Sequence, residues 1–305
     1  MTLLARDVIL GQRLEELYRT YGPETAGSDP IGLLSRYHAA EDLEVAGWIA
    51  SAFAYGRVET IRANVTRLFD ALGESPARLL GGVGDWRRFA RERLLGFRHR
   101  FHGSRDAAAL LYAIASLKAS AGSLRAAFES ERREEEEDVA GLLSRVVGRI
   151  EALDWRPAIG RKRLPEGSPV RFFFPDPASG SACKRWNLYL RWMVRRDRLD
   201  FGLWPGIPTD RLVIPMDTHI HLVSRRLGLT RRRTADWTAA REVTRRLARF
   251  DPADPVRFDY ALCRIGIFGI CRADASRSRC GECIAREACR TGRRRTAIFR
   301  AGAAA

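Results

Sequence analysis

The amino-acid sequence predicts an all-α fold, and three observations carry that expectation. Apolar residues recur at helical spacing along most of the chain, strand-like alternation is weak throughout, and Ser/Asp start signals precede the apolar stripes. With 46% hydrophobic and 30% charged residues over 305 positions, the composition reads as globular, with room for one large core or two modest ones.

Leu10, Leu14 and Leu17 fall on one face of a first helix. "SDP" at 28–30 reads as the next helix start. The longest apolar run, "VAGWIASAFAYG" at 45–56, is too short to span a bilayer, and the N-terminal "MTLLARDVILGQRLEEL" meets charges before a signal-peptide core can form. A cytoplasmic protein with no membrane partner is therefore expected. Val58, Ile61, Val65, Leu68 and Leu72 form a longer stripe, followed by Leu110, Leu111, Ile114 and Leu117 after the start signal "SRD" at 104–106, and then by Leu142, Val146 and Leu153. "RREEEED" at 132–138 reads as a solvated helix face or loop without a function of its own. "WRPAIGRKRLPEGSP" at 155–169 reads as a loop between two helical groups, "WPGIP" at 204–208 breaks the chain again, and no internal repeat is visible.

The net charge is +16, which makes a polyanion the first partner to consider, since neutralising phosphates releases counterions. Of the 53 basic residues only Lys118, Lys162 and Lys184 are lysines, the other 50 being arginines. GC-rich coding accounts for Arg in place of Lys, though not for the net excess. Arginine keeps its proton at neutral pH, whereas a lysine placed among cations or apolar groups can become a nucleophilic amine. Lys184 has that setting, beside Arg185 and ahead of Leu188, Trp192 and Val194; taken alone, a snorkelling surface lysine is the better reading. Further on, Asp217 stands before the stripe Ile220, Val223, Leu227, where a helix N-cap belongs. His219 and His221, two apart, make a poor metal pair and read as polar or DNA-facing. A helix from Lys184 to about Arg196 is roughly 18 Å long, and ~20 further residues span up to ~65 Å, so Lys184 and Asp217 can share a site.

Cys271, Cys280, Cys283 and Cys289 are spaced C-x8-C-x2-C-x5-C, and four close thiols in a reducing compartment read as a metal site. Thiolates suit either a 4Fe-4S cluster or a structural zinc. Cys263, in the apolar "YALCRIGIFGIC", reads as a buried small hydrophobe, and Cys183 as structural.

In combination, "PASGSACKR" at 177–185, "PMDTH" at 215–219 and the four-cysteine tail resemble, in the same order, the helix-hairpin-helix DNA glycosylase superfamily of endonuclease III and adenine glycosylase. "VAGWIASAFAYGR" at 45–57 is similar to that group's first barrel helix and DNA-probing loop, so the likeness covers roughly 30–290. "KRWNLYLRWMVRRD", "IPMDTHI" and "FDPADPVRFDYAL" look like an uncharacterised bacterial family placed in the superfamily. Three departures stand out: Ala182 replaces the usual second hairpin glycine, the Lys-to-Asp spacer is longer than in endonuclease III and nearer that of archaeal 8-oxoguanine glycosylases, and the first cysteine gap is x8 instead of x6.

The resemblance implies a base-excision-repair DNA glycosylase with abasic-site lyase activity, an oxidised base being among the expected substrates. Lys184 would be the Schiff-base amine and Asp217 the catalytic carboxylate. Gly180, Ala182, Tyr55, Arg57 and His219 would contact double-stranded DNA, and Cys271, Cys280, Cys283 and Cys289 would hold the 4Fe-4S cluster, zinc being the alternative. Trp186, Trp192 and Phe172–Phe174 are candidates to stack on a flipped base, although for any single one core packing is the first expectation. The implied architecture is two helical lobes, one over 31–200 ending in the hairpin and the Lys184 helix, the other combining 1–30 with 201–305. The arginine-dense stretches at 225–233 and 290–300 would face the DNA backbone. The protein is expected to act as a monomer close to the bacterial nucleoid; the alternative is a non-catalytic nucleic-acid-binding protein with a structural metal.

Overall fold

The computed structural model describes residues 3–293, apart from the side chains of Leu3, Leu4 and Ser28, and is mostly helical, as the apolar periodicity requires. After α1 (Leu3–Thr20) come 3-10 turns at Pro23–Ser28 and Pro30–Arg36, then α2 (Ala40–Ala52), α3 (Val58–Leu72), α4 (Pro76–Gly81) and α5 (Trp86–Glu92). A small antiparallel hairpin, β1 (Arg98–His99) and β2 (His102–Gly103), leads into α6 (Ser104–Ala121), α7 (Leu124–Glu129), α8 (Ala140–Glu151) and α9 (Arg156–Ile159). Two more 3-10 turns, Pro169–Phe173 and Pro177–Ser179, precede α10 (Lys184–Val194). α11 (Thr218–Leu227), α12 (Trp237–Leu247) and α13 (Asp259–Ile267) follow, and the cysteine segment is a chain of 3-10 turns at Ala275–Arg277, Cys280–Glu282 and Ile284–Glu287.

α2 is buried on every side from Asp42 to Ala52, which is why its sequence is apolar without a polar face. α10 lies against it. Trp48 of α2 sits 5.1 Å from Trp186 and 5.7 Å from Tyr189 of α10, with Phe128 of α7 closing the cluster. Gly47 permits the approach, since a Cβ there would meet Met193 Cε at 2.8 Å. Losing Trp48 to alanine would cost about 3–5 kcal/mol. Trp186 and Trp192 are therefore core residues and not surfaces for a base. Glu44, buried in α2, accepts hydrogen bonds from Trp204 Nε1 at 2.9 Å and Leu124 N at 3.1 Å, so its carboxylate is satisfied within the core.

α1 packs on α13 and on the turns at Pro255–Phe258 and Ile284–Glu287, so the first helix closes onto the last described part of the chain. A buried ion network joins this group to α10. Arg191 contacts Asp200 at 3.2 Å and also Asp259 at the start of α13, while Arg195 contacts Asp200 and, at 2.8 Å, Asp254. Burial works against the Arg191 cation, and the carboxylates around it hold it charged.

Several details depart from the sequence reading. "SDP" opens a 3-10 turn rather than an α-helix, with Asp29 Oδ1 accepting from Ile31 N at 3.1 Å. Leu153 lies past the end of α8. The run at 132–138 is a loop, but not an idle one: Glu137 pairs with Arg241 and Arg245 of α12, Asp138 with Arg241, and Glu136 with Arg145 of α8. It strings the middle of the chain to α12. Among the described residues no helix is long and apolar enough to cross a membrane. Most of the arginine-dense stretch at 290–300 lies outside the described residues.

Candidate active site

Lys184 is the first residue of α10, and the turn before it is tightly specified. Gly180 takes a left-handed φ of 81° and its carbonyl accepts from Trp237 N at 3.1 Å, while Ser181 bridges to Asp236. Cys183 is also left-handed, at φ 47°, a strained conformation for a residue with a side chain. It is held there by burial, with its thiol donating to Pro175 O at 3.4 Å, and burial pushes that thiol up to about 12. No side chain caps α10. What precedes the turn is the pair of 3-10 turns rather than a full α-helix.

Asp217 is the N-cap of α11, and its two oxygens do different things. Oδ1 accepts from His219 N at 2.9 Å and Ile220 N at 2.8 Å. Oδ2 faces Lys184 Nζ at 3.4 Å and Cys263 Sγ at 3.9 Å. Burial would raise this carboxyl, but the Lys184 cation and the N–H of Ile220 outweigh it and hold it below the ordinary carboxylate range. Lys184 Nζ also donates to Ala54 O at 3.1 Å, at the end of α2. The two residues that the motifs singled out, 33 positions apart, thus share one site.

They line a cavity of about 410 Å³, large enough for a flipped nucleobase. Its walls also include Asp29, Arg57, His219, Tyr260, Cys263 and Arg264. Most of these were invisible in the sequence. Arg264, almost fully buried in α13, pairs with Asp29 and lies over the Tyr260 ring at 4.3 Å. Cys263 is a cavity wall whose thiol faces Asp217, and burial followed by the Asp217 charge keeps it protonated. Gly266 lets α13 approach α11, because a Cβ there would meet His219 Cβ at 2.7 Å. The only sequence hint was the small-residue spacing in "YALCRIGIFGIC".

Among the expected DNA contacts, Arg57 and His219 reach the cavity, while Gly180 is exposed on the turn and Ala182 half-buried beside it. Tyr55 does not line the cavity. Its ring packs against His99, His102 and Phe172, and its hydroxyl is bonded to His102 Nδ1. Of the Phe172–Phe174 group, Phe173 and Phe174 are core and only Phe172 is partly exposed.

The four cysteines are unpaired, partly buried neighbours. Cys283 is pushed up to about 11, first by burial, with Cys289, Cys271 and Cys280 acting in the same direction. Arg226 of α11 donates to Cys271 Sγ at 3.0 Å. The donor set suits iron-sulfur or zinc chemistry. As the side chains stand, no group of three or more His, Cys, Asp or Glu among the described residues is arranged to hold a metal ion.

A family model described as "Protein of unknown function (DUF2400)" matches residues 29–268. The chain belongs to this family. The matched span contains every residue lining the Lys184–Asp217 cavity, from Asp29 to Ile267, and stops before the four cysteines. No curated protein and no solved structure matched the chain. The stretch matched by the DUF2400 model thus includes the whole cavity lining.

Proposed function

We propose that the protein is a DNA glycosylase with abasic-site lyase activity, working from the Lys184–Asp217 cavity on a damaged base. The observation that carries this reading is the 3.4 Å approach of Lys184 Nζ to Asp217 Oδ2 at the wall of a nucleobase-sized cavity. Support comes also from the net charge of +16, from the uncapped start of α10 beside an exposed turn, and from the order of the motifs.

The chemistry follows from the two groups. As the C1′–N bond breaks, its electron pair leaves with the base, and the Asp217 carboxylate stabilises the cationic sugar. Asp217 accepts a proton from Lys184, whose nitrogen lone pair then forms the new bond to C1′. Opening of the sugar ring gives an imine, and loss of the C2′ proton expels the 3′ phosphate by β-elimination. Cys271, Cys280, Cys283 and Cys289 would hold a 4Fe-4S cluster, or a structural zinc, that braces the tail against α1 and α11 and takes no part in these steps. The natural setting of such an enzyme is the bacterial cytoplasm, as a monomer on double-stranded DNA.

The bond from Lys184 to the Ala54 carbonyl favours a second reading, in which the amine is a structural tie and the protein binds nucleic acid without reacting. Borohydride reduction in the presence of DNA with an abasic site separates the two. The enzyme forms a covalent complex that Lys184→Gln abolishes; a wild-type protein that binds the DNA and is never trapped is the passive binder.

A further inference from the structure

The β1–β2 hairpin stands beside the cavity and has no part in the chemistry above. Its two-residue turn, Arg100–Phe101, carries the other left-handed non-glycine among the described residues, Arg100 at φ 56°, and leaves Phe101 53% exposed. The strained backbone holds an exposed phenylalanine at the tip, where it can meet a partner.

Below the tip the hairpin is fixed by two histidines that are fully buried. His99 Nε2 donates to Tyr55 O at 2.9 Å, and its Nδ1 accepts from Asn64 Nδ2 at 3.1 Å. His102 Nε2 donates to Pro169 O at 2.9 Å, and its Nδ1 accepts from the Tyr55 hydroxyl. Tyr55 lies between Ala54 and Gly56, both of which line the cavity. Gly56, at φ 102°, lets the Arg100 side chain lie against the same segment, with Arg100 Cδ 3.3 Å from where a Cβ would stand. The tip is thereby held at a set position relative to Lys184.

The surroundings are cationic. Arg57, Arg98 and Arg100 are exposed and make no ion pair among the described residues. Arg185, directly after Lys184, is stacked at 3.9 Å over Phe172, which in turn packs 5.1 Å from Phe101. It too has no carboxylate partner among the described residues, donating instead to the Phe172 carbonyl, and burial lowers it to about 10. An apolar ring ringed by unpaired arginines suits a partner with stacked faces inside and phosphates outside.

We propose that the Arg100–Phe101 turn is the wedge by which this protein enters duplex DNA, Phe101 taking the stack position vacated by the nucleotide in the cavity and Arg57, Arg98 and Arg100 gripping the flanking phosphates. The proposal rests on the reading of the protein as one that acts on DNA. It replaces Tyr55, whose hydroxyl and ring are both committed to the hairpin's base.

The test compares borohydride trapping on one abasic oligonucleotide, single-stranded and in duplex, together with the affinity for abasic over intact duplex. A wedge is needed only where there is a stack to enter. Phe101→Ala should lower the duplex-to-single-strand trapping ratio and the preference for abasic duplex by about tenfold or more, the order of one lost base–aromatic stack. Phe101→Trp should restore both, and Arg98→Ala with Arg100→Ala should reduce the salt dependence of duplex binding. If wild type is trapped and Phe101→Ala gives the same ratio, the wedge is overturned while the catalytic reading stands. If wild type is not trapped, that reading falls and the wedge is judged by binding alone: equal preference for abasic duplex in wild type and Phe101→Ala overturns it.

Discussion

Replacing Asp217 separates its structural work from its chemical work, because the two reside on different oxygens. Asparagine at 217 keeps an Oδ1 acceptor for the N–H groups of His219 and Ile220, and Asn caps helices as well as Asp does. What it removes is the charge facing Lys184, a pair whose lysine side chain is 31% exposed, so solvent screening limits its worth to about 0.5–1 kcal/mol. Asp217→Ala loses that and the cap as well, about 1 kcal/mol more. In a chain of this size the extra loss lowers Tm by roughly 2 °C relative to Asp217→Asn. Both variants should lose about 10²-fold or more in the rate of borohydride-trappable complex formation. The assays are single-turnover trapping on abasic DNA and thermal melting. Trapping by Asp217→Asn at the wild-type rate would refute the role of the carboxylate, and equal melting temperatures for the two variants would refute the division of labour between its oxygens.

Four further outcomes are expected. The Asp217 carboxyl is held below its ordinary value of 3.8, so its pairing contributes stability above about pH 4 that is lost as pH falls through the folded value; the Tm gap between wild type and Asp217→Asn should be constant above about pH 5 and narrow progressively below about pH 4. His99 and His102 are held below 6.5 by burial, so the neutral rings contribute stability present above about pH 6.5 and lost on acidification, and hydrogen-exchange protection factors at the hairpin, taken relative to intrinsic rates at each pH, should fall as pH drops from about 7 to 5. Arg191→Ala strands Asp259 and Asp200 without this cation and should destabilise by about 3–5 kcal/mol in chemical denaturation, against less than about 0.5 kcal/mol for Glu134→Gln on the surface. Protein purified without air should be brown and contain iron, and Cys283→Ser should lose the metal and loosen the tail by limited proteolysis; a colourless, zinc-loaded protein would overturn the iron assignment.

How far the sequence could be read depended on the range over which each signal acts. The stripes Val58 to Leu72 and Leu110 to Leu117 are local, and the helices they announce are present. Lys184 was a rare lysine among arginines and Asp217 preceded a clean helical stripe, but it was the resemblance of their motifs to the glycosylase superfamily that joined them as a candidate site. Cys263, Arg264 and Asp29 did not, since their place at the cavity depends on α13 packing against α11 and on an ion pair between positions 235 apart. The hairpin escaped for a different reason: two-residue strands are too short to alternate, and Arg100 takes a conformation its side chain disfavours. Tyr55 looked free because the histidines that bind it lie more than 40 residues away.

The cavity has one more implication, for the time at which it comes into being. Its walls come from Asp29 to Ile61, Lys184 to Arg191, Pro215 to His219 and Asp259 to Ile267, so no contiguous stretch of chain contains it. During synthesis Lys184 would emerge well before Asp217, and Cys263 later still. A chain released before Ile267 would carry the amine without its enclosure, exposed among unshielded arginines. If the protein acts on DNA as proposed, the nascent chain would meet nucleic acid as a polycation first and become selective only when α13 docks.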